Sequence, residues 1–234
     1  MNPIIIFYHC LFYLGDPPQL LPPALDIVSR QMNLLGTSGL LEAASEFHVG
    51  VNGGTESEIP ACVTIPTKAQ IIYHGLQSRN ENLTIVMVEE WLKNHPDEAY
   101  ILYFHAKGST HPISDPVRNR WRGCMERNLI SKWKNCVSDL ATGSDAAGCH
   151  WMSWGNYPQM PKGQSIFGGN FFWAKASFLR TLPSIFSTDR VKQSGILALE
   201  SRYESEVWIG NGPRLPRVRD YHNGWNVTAS TCIP

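Results

Sequence analysis

The chain has 234 residues, 43% hydrophobic and 17% charged, which suits one large folded domain with a sizeable core. Twenty Lys and Arg balance twenty Asp and Glu, so there is no whole-chain attraction for polyanions, and nucleic acid is excluded as the expected partner. The six cysteines are scattered, with no C-x-x-C and no finger-like pairing with histidine, which excludes the usual zinc modules and suits a reduced, intracellular chain.

Residues 4–8 form an apolar, β-rich run. The apolar stretch 4–14 is too short to span a bilayer, lacks a basic leader and contains His9 and Cys10, so it reads as a first strand. Apolar positions over 25–41 recur at helical spacing and stop at Gly36 and Gly39. A strand is expected over 46–51, ending at Asn52-Gly53-Gly54, and another over 69–73. Residues 82–95 read as a helix capped by Asn82 and closed before Pro96. Residues 99–104 are a strongly apolar strand. The pattern over 116–140 predicts one long helix, with Trp121, Met125, Leu129, Trp133, Cys136 and Leu140 on one face. Strands over 146–152 and 166–174 precede helix-like segments at 178–186 and 199–209. Residues 155–163 and 212–219 read as loops. This rhythm predicts an α/β fold with a mostly parallel sheet flanked by helices. A single domain over 1–234 is expected, with 210–234 as a C-terminal loop and tail packing over it.

Two segments carry candidate chemistry. Residues 166–175 read I-F-G-G-N-F-F-W-A-K. Gly168 and Gly169 suit a tight turn or a close backbone approach, and Phe172 falls on the face opposite Phe171 and Trp173. Asn170 beside aromatic rings is a familiar way to grip a sugar. A bulged core strand explains the same residues. Residues 100–108 end in H-A-K-G, with Tyr103, His105 and Lys107 on one face of a strand. Open α/β sheets bind ligands at the carboxyl ends of their parallel strands, so Lys107 and Gly108 stand where a cation meets a phosphate. A hydrogen-bonded histidine and a solvated lysine is the plain alternative.

Other signals are weaker. Arg118, Arg120, Arg122 and Arg127 make the following helix basic, most of them expected in solvent, with one or two able to reach an anionic substrate and Arg122 nearest the H-A-K-G loop. Glu204 and Glu206 point about 200° apart on a helix, so one at most faces a cleft, where a carboxylate can deprotonate a hydroxyl. His222 follows a proline-rich loop, as a phosphate or metal partner or as an exposed histidine. Cys149-His150 lacks the further ligands a zinc site needs. No P-loop, G-x-G-x-x-G, G-x-S-x-G or H-E-x-x-H occurs, removing the usual support for kinase, Rossmann dehydrogenase, serine hydrolase and zincin readings.

Taken in order, F-H-A-K-G, the W-R-x-x-M helix, Gly148-Cys-His-Trp151, Gly169-Asn-Phe-Phe-Trp-Ala174 with Leu182-Pro183, and Glu204-x-Glu206-x-Trp208 resemble sugar-transferase-like proteins of bacterial and viral polysaccharide loci. These are similar to nucleotide-sugar transferases of the GT-A type, and the resemblance spans roughly residues 4–208. It implies a nucleotide-diphospho-sugar domain with the donor at the carboxyl edge of the sheet. The family's Asp-x-Asp motif, which holds a divalent metal on the pyrophosphate, is missing from this chain. The H-A-K segment stands in its place, which implies transfer that is metal-independent or only assisted by manganese or magnesium. The resemblance makes Glu206 the base and Glu204 its runner-up. It places His105, Lys107, Gly108, His222 and Tyr8 on the donor phosphates, and Gly169, Asn170 and Trp173 on the acceptor or sugar, with no protein-held metal.

The expected function is therefore a hexosyltransferase-type enzyme taking a nucleotide-sugar donor and a saccharide acceptor. It is expected in the cytoplasm, with peripheral membrane contact allowed and no transmembrane segment. A non-catalytic glycan- or nucleotide-binding module on the same fold is the alternative. A phosphate-handling hydrolase using His105 is a third reading without specific spacing in its favour.

Overall fold

The computed structural model describes residues 2–15, 18–52, 59–74, 81–153, 165–187 and 203–222. Strands β1 (Ile4–Leu11), β2 (Tyr13–Leu14) and β3 (Gln19–Leu20) lead into helices α1 (Pro22–Thr37) and α2 (Leu40–Ala43). Strands β4 (Glu46–Asn52) and β5 (Ala69–Tyr73), helix α3 (Asn82–Asn94) and strand β6 (Tyr100–His105) follow. Helix α4 (Pro116–Glu126) runs through a π-helical turn, Arg127–Ser131, into α5 (Trp133–Ala141). Short strands β7 (Ala146–Gly148), β8 (Trp151–Ser153), β9 (Ser165–Phe167) and β10 (Phe172–Lys175) precede α6 (Ala176–Leu179), α7 (Tyr203–Trp208) and β11 (Val218–Asp220).

Seven strands form the central sheet in the order β11-β7-β10-β6-β1-β4-β5. The pairs β1–β4, β1–β6, β4–β5 and β7–β11 are parallel, and β10 runs antiparallel to both β6 and β7. This is the α/β, mostly parallel architecture that the alternating strand and helix patterns predict. β1 is buried along its whole length, as a strand covered on both faces must be. Ile4, Ile6, Tyr8 and Cys10 pack toward α1 and α5, whereas Ile5 and Phe7 pack toward α3, the period-two alternation of a pleated strand.

Several boundaries differ from expectation, each for a local reason. Glu81, not Asn82, precedes the first turn of α3, and no side chain caps that end. Asn82, which opens an Asn-Leu-Thr glycosylation sequon, is itself buried. The long helix over 116–140 is interrupted by the π-helical turn, so α4 and α5 share the apolar stripe without one continuous ladder. The strand expected over 146–152 is broken by His150, whose φ of 61° is incompatible with extended pairing; β7 stays in the main sheet and β8 pairs with β9. Residues 166–174 are likewise split by the turn at Gly168–Asn170. The helix expected over 178–186 ends at Leu179, four residues before Pro183. Residues 218–220, expected in a loop or tail, form edge strand β11. The loop over 155–163 lies outside the described residues, as do 199–202 of the last helical segment and the tail beyond His222.

Candidate functional site

One topological fact gathers the site. The parallel strands β1, β4, β5 and β6 end at the same edge of the sheet. Because β10 is antiparallel to β6, with Phe172 opposite Tyr103, the Gly168–Asn170 turn that precedes β10 arrives at that same edge. β7 is antiparallel to β10 and β11 parallel to β7, so His150 and His222 arrive there as well. Helix α3 starts beside the ends of β1 and β4, bringing Glu81.

Glu81 is the hub. Its Oε2 accepts from the Tyr103 hydroxyl at 2.8 Å and from Asn170 Nδ2 at 2.7 Å, and its Oε1 stands 3.2 Å from His105 Nδ1. The other ring nitrogen, His105 Nε2, lies 2.9 Å from the Gly169 carbonyl oxygen. Burial, followed by the charge of Glu81, holds the Tyr103 hydroxyl well above its ordinary pKa, so it remains a donor. The charge of Glu206 on α7 adds to that shift. Glu204 is buried and Glu206 is partly exposed.

The turn itself is in a left-handed conformation at two successive residues, Gly169 at φ 96° and Asn170 at φ 56°. A Cβ on Gly169 would also come within 2.8 Å of Met125 Sδ and 3.2 Å of Lys107 Cε, so glycine is required twice over. Asn170 is 1% exposed, and among the described residues its Oδ1 has no hydrogen-bond partner. A buried acceptor left in that state costs about 1–3 kcal/mol.

Lys107 lies on the outer side of this turn. Its Nζ sits 4.0 Å from the ring centroid of Trp121, a cation–π contact, and the Trp121 indole N–H donates to the Gly168 carbonyl at 3.3 Å. The loop is braced from below by Arg122, which donates to the Lys107 carbonyl at 2.9 Å and would sit 3.0 Å from a Cβ at Gly108. Arg122 is 3% exposed, whereas Arg118, Arg120 and Arg127 keep contact with solvent, as expected for most of the helix arginines. Glu126 explains why the charge of Arg122 survives burial: the carboxylate stands 3.6 Å from Arg122 Nε and is itself held by Arg30 and Gln31. His222 is half-buried, its ring 4.5 Å from that of His150, while the His150 N–H donates to the His222 carbonyl.

Two expected site residues are elsewhere. Tyr8 is fully buried on the opposite face of the sheet, where its hydroxyl donates to Gln31 Oε1 at 2.8 Å. Trp173 is fully buried among core residues and its indole donates to the Leu129 carbonyl at 2.8 Å. Both are core residues here because strand alternation turns them toward α1 and α5, away from Glu81.

Sequence reasoning missed Glu81, His9, His74 and Thr84. His9 Nδ1 and His74 Nε2 both meet the Thr84 hydroxyl, at 2.8 and 3.2 Å, in a space that Gly50 keeps open: a Cβ there would lie 2.1 Å from Thr84 Oγ1. A histidine inside the apolar run of β1, and an acid just before the first turn of α3, were the available signals. Burial, then the charge on His105, holds His9 well below the ordinary histidine range, and burial pushes His74 down to about 4. Both are therefore neutral in the folded chain while the unfolded chain takes up protons below about 6.5. The unfolded state binds more protons in that window, so stability is expected to fall as pH drops from about 6.5 to about 4. Urea midpoints at pH 7 and pH 5 check this, and His74→Asn should flatten the slope. Equal midpoints would refute it.

Among the described residues, no group of three or more His, Cys, Asp or Glu is arranged to hold a metal ion. Five described cysteines are free thiols. No helix of the described residues is long and apolar enough to cross a membrane.

A family model described as "Domain of unknown function (DUF8361)" matches residues 7–217. No curated protein matches the chain. Among solved structures, the chain is similar to one described as the crystal structure of 4-diphosphocytidyl-2C-methyl-D-erythritol synthase, with 11% identity and a TM-score of 0.38, covering 100% of this chain and 94% of that one.

Proposed function

We propose that this chain, which belongs to the DUF8361 family, transfers a glycosyl unit from a nucleotide sugar to a saccharide hydroxyl. The observation that carries the reading is the meeting of the H-A-K-G turn, the Gly-Gly-Asn turn and the start of α3 at the carboxyl edge of the parallel strands. That edge is where open α/β sheets take ligands. In this reading Glu206, the more exposed carboxylate of α7, removes the proton of the acceptor hydroxyl. The hydroxyl oxygen attacks the anomeric carbon as the bond to the diphosphate breaks, and Lys107 meets the charge that develops on the departing oxygen. His222 lies on the same edge as a second phosphate contact, and the Gly169–Asn170 turn faces the sugar.

A binding module without chemistry is the second reading, and one observation favours it. Glu81, the carboxylate at the centre of the cluster, already accepts from or faces three donors, which makes it a poor general base. A panel of UDP- and GDP-linked sugars, run as thermal shifts with and without manganese, tests the proposal. A donor present at a hundred times its dissociation constant should stabilise the fold by about 2.7 kcal/mol, and released nucleoside diphosphate should then appear with a saccharide acceptor. Binding of free glycan with no response to any nucleotide would favour the module instead.

A further inference from the structure

The Glu81 cluster has a hydrogen-bond logic that fixes protonation states. An ionised carboxylate only accepts, and a carbonyl oxygen only accepts. His105 Nε2 is in hydrogen-bond geometry with the Gly169 carbonyl at 2.9 Å, and Nδ1 stands 3.2 Å from Glu81 Oε1 as an ion-pair contact, so an acceptor faces each ring nitrogen. A neutral imidazole carries one N–H and would oppose a lone pair to one of these acceptors. An imidazolium satisfies both.

The same carboxylate orients Asn170. Its Oε2 requires a donor, so Nδ2 of the carboxamide faces Glu81, and a flipped carboxamide would set oxygen against oxygen. The consequence is that Oδ1, and never Nδ2, is the end of the side chain left over. Among the described residues that oxygen has no donor, though the residue is 99% buried by the 1% exposure of its surface. Groups of that kind in folded chains call for an explanation.

We infer that Glu81 is the positioning residue of this site: it holds His105 as an imidazolium and turns the Asn170 carboxamide so that Oδ1 accepts from a hydroxyl of the bound sugar. The inference rests on the sugar-nucleotide reading for the ligand and on geometry alone for the clasp. It adds a specificity rule: one sugar position must carry a hydrogen-bond donor, not merely a polar atom. The oxygen is shielded in the ligand-free chain, so a ligand reaches it by displacing neighbouring side chains. Among the described residues, the charged group facing His105 is Glu81 from the start of α3, with the neutral His9 beside it on β1 and Glu206 acting on the adjacent Tyr103.

Two measurements test it. The first needs no ligand: ¹⁵N NMR of the histidine side chains in the whole chain at pH 7.5. Both ring nitrogens of His105 are expected in the protonated range, and Glu81→Gln, which keeps the shape and removes the charge, should return the ring to a neutral tautomer. A neutral His105 in the wild type overturns the clasp. The second uses a sugar nucleotide that binds and its monodeoxyfluoro analogues, whose fluorine cannot donate. One analogue is expected to bind at least tenfold more weakly than the parent. In Asn170→Gly, chosen because φ 56° disfavours alanine, the two should bind alike. Equal binding of every analogue to the wild type overturns the hydroxyl contact while leaving the transferase reading in place. Failure of every nucleotide sugar to bind overturns both.

Discussion

Trp173→Ala is expected to lose about 3–5 kcal/mol of folding stability, a large share of the ~5–15 kcal/mol typical of a folded domain. The indole is fully buried and packs with Leu102, Phe104 and Ala147 on the α1 face. Truncation leaves a cavity and also strips the donor from the Leu129 carbonyl in the π-helical turn. Urea denaturation gives the magnitude. Trp173→Phe keeps most of the volume and should lose far less. Its binding of a sugar nucleotide should match the wild type, because the ring is separated from Glu81 by the sheet. A Trp173→Ala chain with a normal midpoint and no ligand binding would restore the sugar-stacking role that the core position denies.

Lys107→Met is expected to lower turnover by about 10²–10³-fold, equivalent to about 2.7–4 kcal/mol of transition-state stabilisation, by analogy with the loss of one oxyanion donor. Methionine retains an apolar arm against Trp121 and the Gly169 turn and removes only the charge. The thermal midpoint should therefore move little, since a partly exposed cation–π contact contributes about 0.5–1 kcal/mol. Lys107→Arg preserves charge but spreads it over a planar fork, and is expected to recover part of the rate. Full turnover by Lys107→Met in the presence of a working donor would remove Lys107 from the reaction.

The two predictions separate positions that look alike in the sequence. Trp173 and Lys107 each stand beside a glycine-bearing polar turn at the end of an apolar run. Strand phase decides between them: the chain leaves β6 at His105, so Lys107 is beyond the last paired residue, whereas Trp173 is inside β10 and paired with Leu102 and Ala147. Tyr8 follows the same rule. It is on the even face of β1, and His9, one residue on, is the one that reaches Thr84.

Local chemistry was enough to determine the α/β class, the apolar strands β1, β4 and β6, the amphipathic helices, and the polar character of the H-A-K-G and Gly-Gly-Asn turns. These depend on hydrophobic period, glycine and proline, all properties of neighbouring residues. Only the tertiary structure decided that the two turns meet, because that follows from the antiparallel entry of β10 beside β6. It also decided that Glu81, 24 residues before His105 and 89 before Asn170, joins them. Contacts across such separations are set by strand order and direction, which no local pattern encodes. Burial of Arg122 had the same origin: its counter-charge, Glu126, is anchored by Arg30 from a helix 96 residues away.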